Sequence, residues 1–160
     1  RGMAYVALQE VATRAAHRNT GRYSDDPVAD RIMARISADE NLHATFYRDI
    51  LVAAAKAQPS ATVEAVVAEI LALEMPGAGI AGFRRKAAEM ALAGIYDLRI
   101  HKDEVVMPIV RRLGIFELEG LTPEAESART ELGVFLDEME ESARKLEERR
   151  ARSQERAARA

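Results

Sequence analysis

Ser37-Ala38-Asp39-Glu40-Asn41-Leu42-His43 lies inside a run from Val28 to Ala57 that contains neither Pro nor Gly. Steps of three and four residues through this run give Ile32, Ile36, Glu40, His43, Tyr47 and Ile50. Such a stripe is the seam of a packed helix, here interrupted by Glu-x-x-His. A carboxylate on a buried seam is costly unless it is paired or ligates a metal. Glu40 and His43 stand at i and i+3, on one face and one turn apart. Their carboxylate oxygen and imidazole nitrogen can therefore reach one cation together.

Working upstream, residues 3–18 also carry apolar groups at helical spacing. Their seam reads Met3, Val6, Glu10, Thr13, His17, apolar first and polar after. Glu10 thus offers a second carboxylate from a neighbouring helix. Glu-x-x-His on one bundle helix with a further Glu from another is the repeating half of a carboxylate-bridged di-iron site. Carboxylates are hard donors that suit oxidised iron, and imidazole supplies the remaining positions. The competing reading is a solvent-facing pair, or a core histidine held by an ordinary acid. Asp39 is either a surface acid or the acceptor of the second N–H of a ligating imidazole. Thr13 either turns its hydroxyl to the metal cavity or bonds back to its own helix. His17 is a ligand, or a core or helix-terminal histidine. His101, in His101-x-x-Glu104, has the reverse order and no comparable stripe, and reads as surface or packing.

Punctuation along the chain predicts an all-α protein. Arg18-Asn19-Thr20-Gly21 reads as a helix stop, with Gly21 supplying a left-handed turn. Asp25-Asp26-Pro27 opens the next helix by cap and first-turn proline, as far as Ala57. Ser60 is the expected cap of a third helix over 61–74, which breaks at Met75-Pro76-Gly77. Shorter helices follow over 80–93, ended by Gly94, and over 98–113, ended by Gly114, with Pro108 kinking or restarting the latter. Thr122-Pro123-Glu124 opens a last helix rich in Glu and Arg. Glu147–Ala160 reads as a solvated helix end. These boundaries divide a single domain, 1–160, into metal-ligand helices (1–58), shorter helices (59–121) and a charged C-terminal helix (122–160). The chain opens inside a helical pattern with no cap before it, which predicts that the front of the protein is missing.

Composition narrows the function classes. Of 160 residues, 48% are hydrophobic and 31% charged, enough for a core and for long solvated helices. The 23 basic and 26 acidic residues leave a net charge of −3, which argues against a dedicated nucleic-acid binder. There is no cysteine, which removes disulfides, thiolate metal sites and a cysteine nucleophile, and fits a reducing cytoplasm. No apolar run approaches the ~20 residues of a transmembrane helix, and no phosphate loop, nucleotide fingerprint or Ser-His-Asp grouping occurs.

Two segments carry a family resemblance. Tyr5-Val6-Ala7-Leu8-Gln9-Glu10-Val11-Ala12-Thr13, followed by His17-Arg18-Asn19-Thr20-Gly21, resembles the third metal-binding helix of soluble acyl-carrier-protein desaturases. Ser37–His43 resembles their fourth, the second Glu-x-x-His helix. Weaker likeness continues through Met75-Pro76, Gly94-Ile95-Tyr96, Leu113–Phe116, Gly120–Thr122 and Leu146–Arg149. His17–Gly21 and Arg99–Pro108 resemble the actinobacterial members.

The resemblance implies a ferritin-like helical bundle, usually a homodimer. In that family two iron ions react with O2 and two electrons from a ferredoxin-type donor. A cis double bond enters a saturated acyl chain carried on acyl carrier protein, in fatty acid biosynthesis. Residue by residue, it implies metal ligands at Glu10, Glu40 and His43, the Thr beside the oxygen site at Thr13, and a supporting acid at Asp39. Met75 and Pro76 match a turn near the acyl cavity. The family has six ligands on four helices, whereas this chain supplies three on two. The plant enzymes also carry Lys-Arg where Asn41-Leu42 stands here. Arg84-Arg85-Lys86 and Arg111-Arg112 are candidate substitutes for gripping an acidic carrier protein. The alternatives are another ferritin-like di-iron oxidase or hydroxylase, and a catalytically incomplete helical interaction module.

Overall fold

A computed structural model describes residues 1–74 and 78–158. Among them there is no strand. The order is α1 (Gly2–Tyr23), α2 (Pro27–Ala57), α3 (Pro59–Ala72), α4 (Phe83–Leu92), α5 (Leu98–Ile100), a π-helical segment (His101–Val106), α6 (Met107–Leu113) and α7 (Pro123–Ala158). The expected turn at Met75-Pro76 lies outside the described residues.

The hairpin of α1 and α2 is the most extensive helix pairing of the fold. Its buried face on α1 is built from Ala4, Ala7, Leu8, Val11, Ala12 and Ala15. Short alanine side chains bring the backbones close. On α2 the buried positions are Ser37, Ala44, Leu51 and Ala55, and the Ser37 hydroxyl donates to the Arg14 carbonyl across the pair (3.0 Å).

Gly21 does not end α1, contrary to the expected stop. The helix continues to Tyr23 with Gly21 buried inside it. A Cβ on Gly21 would stand 2.8 Å from Cβ of Met33. The glycine is there for the close crossing of α2, not for a left-handed turn. That turn falls instead on Asp25, at φ 50°, in the region that Asp enters more readily than most residues. Asp26 then caps α2 as expected, its Oδ1 accepting from the N–H groups of Val28 (2.7 Å) and Ala29 (2.9 Å).

α3 buries Thr62, Val63, Val66, Val67 and Ile70 against α7, whose inward stripe is Ala125, Leu132, Leu136, Met139 and Ala143. Ser60 is not the cap of α3. Pro59 already occupies the first turn, and the Ser60 hydroxyl accepts from the Thr122 N–H (2.9 Å), tying the start of α3 to that of α7. Gly94 (φ 71°) and Gly114 (φ 60°) end α4 and α6 as expected. Pro108 sits in the first turn of α6, directly after the π-helical segment. Proline has no N–H, and its ring crowds the carbonyl four residues back. The wider π register before it absorbs both effects, so the rod continues.

Arg99 and Lys102 clamp this rod to α7. Arg99 donates through Nη1 and Nη2 to the two Glu140 oxygens (2.6 and 2.8 Å) and through Nε to Glu147 (2.9 Å). Lys102 Nζ donates to Glu140 (2.7 Å). The hydrogen bonds from Arg99 and Lys102 pull the Glu140 carboxyl down to about 2.

The seams predicted for α1 and α2 are not the buried faces. Met3 is 46% exposed and Ile32 52%, with Val28, Leu42 and Phe46 exposed nearby on α2. A seam is buried only where something packs on it: Tyr47, further along α2, packs against the core, whereas Met3 and Ile32 stay exposed.

Two outcomes test these readings. Helix propensity alone would have Gly21→Ala gain ~1 kcal/mol. The contact with Met33 reverses the sign, and a loss of ~1–3 kcal/mol is expected from chemical denaturation. Glu140→Gln should lower the thermal midpoint at pH 7. Because the folded-state pKa is depressed from 4.5 to about 2, the stabilisation is present above pH 4.5 and disappears as pH falls towards 2. The gap between wild type and Glu140→Gln should close over that window.

Candidate metal centre

Glu10 on α1 and Glu40 and His43 on α2 converge, with one donor atom from each lying within 4.8 Å of the others. His43 Nδ1 lies 3.2 Å from Glu10 Oε2 and 3.5 Å from Glu40 Oε2. The hairpin register produces this meeting: Ala7, Val11 and Ala15 are buried on α1, and Ala44 stands next to His43 at 1% exposure. Glu10 and Glu40 are mostly covered, at 18% and 20% side-chain exposure, whereas His43 is open at 58%.

The electrostatics are those of a crowded anionic pocket. The Glu10 carboxyl is raised, first by the Glu40 carboxyl facing it and then by burial. His43 is raised by its hydrogen bond to Glu10. Two carboxylates forced together, with an imidazole between them, form an O,O,N donor set in need of positive charge. That set fits iron and other divalent first-row metals. Three donors are half of a two-iron ligand set.

The other predicted residues are placed as follows. The Thr13 hydroxyl donates back to the carbonyls of Gln9 and Glu10 (both 3.1 Å), the helix-bonded alternative. Thr13 also lines a small apolar recess with Tyr5, Gln9, Ala12, Ala16, Leu73 and Glu74. Asp39 pairs with Arg35 (3.4 Å), one turn back on α2, rather than with an imidazole of this chain. His101 is a packing residue, as expected. Its Nδ1 lies 2.8 Å from the Tyr96 hydroxyl, and burial pushes its pKa down. Arg84, Arg85 and Lys86 are exposed on α4, Arg85 near Glu89 (3.8 Å), and Arg112 approaches Asp49 (3.5 Å).

One contact was not foreseen. His17 Nε2 lies 3.7 Å from Glu40 Oε1. The sequence signal was present, since His17 follows Glu10 and Thr13 on one seam, but its partner across the hairpin was not legible.

The fold and the site together describe an all-α, ferritin-like protein with a carboxylate–histidine cluster that could hold a metal ion. The family model "Fatty acid desaturase" matches residues 1–160, and the chain belongs to that family. It is 46% identical over 155 residues to a Mycobacterium tuberculosis protein named "Putative acyl-(acyl-carrier-protein) desaturase DesA1", covering 97% of this chain and 46% of that protein. It is 32% identical over 161 residues to stearoyl-(acyl-carrier-protein) 9-desaturase, chloroplastic, from Gossypium hirsutum, covering 93% of this chain and 39% of that one. The chain thus spans less than half the length of these relatives. No helix among the described residues is long and apolar enough to cross a membrane.

A cation held by these donors stabilises the folded chain by mass action. Cobalt(II) at ~100 times its dissociation constant should add ~2.7 kcal/mol in wild type, read as a rise in the denaturation midpoint. Glu10→Ala should show none of it.

Proposed function

We propose that the chain is the C-terminal portion of an acyl-acyl-carrier-protein desaturase acting in fatty acid biosynthesis. The observation that carries this reading is the convergence of Glu10, Glu40 and His43 from two helices in a chain matched from end to end by the desaturase model. Glu10, Glu40 and His43 would hold one side of a two-iron centre, and the other three ligands come from two helices outside this chain. When bound, the iron supplies the O2-dependent oxidation that no side chain performs.

The residues of this chain do the rest. The two carboxylates neutralise the iron charge, and the His43 imidazole completes its share of the ligands. The stripe of exposed Met3 and Ile32, with half-buried Val6 and Ile36, would receive the helices that bring the remaining ligands, and so exclude water. The recess beside Thr13 is lined also by Leu73 and Glu74, and we assign it to the path of the acyl chain. Asp39 would support an imidazole supplied with the missing ligands. Acyl carrier protein, a ferredoxin-type electron donor, a homodimeric assembly and a cytoplasmic location belong to the same reading. With Asn41-Leu42 beside the site, the acidic carrier protein would be held elsewhere, at Arg84-Arg85-Lys86 or Arg111-Arg112.

The test is iron per chain, with intact mass on the same sample, after anaerobic loading of the full-length protein with ferrous iron. About two irons per chain, together with desaturation of a stearoyl-carrier substrate, is the expected result. Glu40→Ala and His43→Ala should each abolish turnover and leave the circular-dichroism helicity near wild type. Unchanged turnover in either variant would sink the assignment. Failure to bind iron in the full-length protein would favour an incomplete helical module, and iron binding without acyl-chain oxidation would favour another di-iron oxidase.

A further inference from the structure

Resting on that reading of the metal centre, we propose that His17 is a positioning residue that orients the Glu40 carboxylate across the helix hairpin. Glu40 is the only one of the three converging residues whose two oxygens face different imidazoles among the described contacts. Its Oε2 lies 3.5 Å from His43 Nδ1, on its own helix. Its Oε1 lies 3.7 Å from His17 Nε2, on α1. The carboxylate is thus spanned by two histidines, one on each helix.

His17 is not one of the converging donors. The group whose donor atoms lie within 4.8 Å of one another is Glu10, Glu40 and His43. His17 therefore reaches the centre through Glu40. The intervening seam residue, Thr13, does not compete, because its hydroxyl is engaged with the Gln9 and Glu10 carbonyls. The Glu40 side chain is 20% exposed and that of His17 36%, so water screens the contact only in part.

The physical need is clear. A glutamate has three rotatable bonds, and His43, one turn along on the same helix, moves with it as one body. A restraint from α1 limits rotation of the carboxylate about its last bond. Oε1 then faces Nε2 of His17, which leaves Oε2 to face the cation. Partners of this kind around a ligand typically change metal affinity by ~10–100-fold when removed.

The experiment is a cobalt(II) titration of the full-length protein, followed by the visible ligand-field absorption of the bound metal. The variants are His17→Ala, His17→Gln and Glu40→Ala, with circular dichroism checking the fold of each. His17→Ala should still bind cobalt, ~10-fold more weakly, with a shifted absorption band. His17→Gln places an amide N–H near the Nε2 position, and should recover the affinity to within ~3-fold of wild type and restore the band. Glu40→Ala tests the metal centre itself: loss of binding there, with an altered band in His17→Ala, is the expected pair of results. An unchanged band and affinity in His17→Ala would overturn the proposal and leave the centre standing. Complete loss of binding in both His17 variants would make His17 a ligand and overturn it as well. Wild type without any cobalt binding would overturn the metal centre first, and this inference with it.

Discussion

The close crossing of α1 over α2 is the constraint on which everything else depends. It requires a small residue where the backbones approach, and α1 supplies Gly21 against Met33, on a helix whose buried positions are largely alanine. With that spacing set, the helix registers are no longer free. Ser37 meets the Arg14 carbonyl, and Glu10 arrives beside His43 thirty-three residues later in the chain.

The site works against stability, and the rest of the fold compensates. Two carboxylates facing each other raise the Glu10 pKa, which is free energy that a purely structural helix pair would not carry. Leucine at either position would pack without this cost. The compensation lies away from the site, in the apolar packing of α3 on α7 and in the Arg99–Glu140–Lys102 clamp. The arrangement is the ordinary one for functional centres: a local departure from good packing, supported by a regular frame.

Much of the secondary structure was legible because helix ends are local chemistry. Asp26-Pro27, Thr122-Pro123, Gly94 and Gly114 act through their own backbone conformations and nearest hydrogen bonds, so a short window of sequence suffices. Gly21 and Ser60 misled for the same reason in reverse. Each resembles a local signal, but the partner that decides its use is distant: Met33 across the hairpin for the glycine, and Thr122 for the serine. Pro108 left a kink or a restart open, and it falls in the first turn of α6, where the π-helical register ahead of it lets the rod continue.

The candidate centre divides in the same way. The sequence alone determined that Glu40 and His43 share one face of α2 and that Glu10 stands on a stripe of α1, because helical periodicity puts residues three and four apart on one side. Tertiary structure alone decided that the three meet, that Glu40 stands between His17 and His43, and that Asp39 turns to Arg35. It also decided which stripes are buried, since the seams of Met3 and Ile32 remain exposed while the alanine faces close. Periodicity specifies a direction around a helix axis. Which direction becomes an interior depends on what packs there, and that is a relation between distant segments that no local pattern encodes.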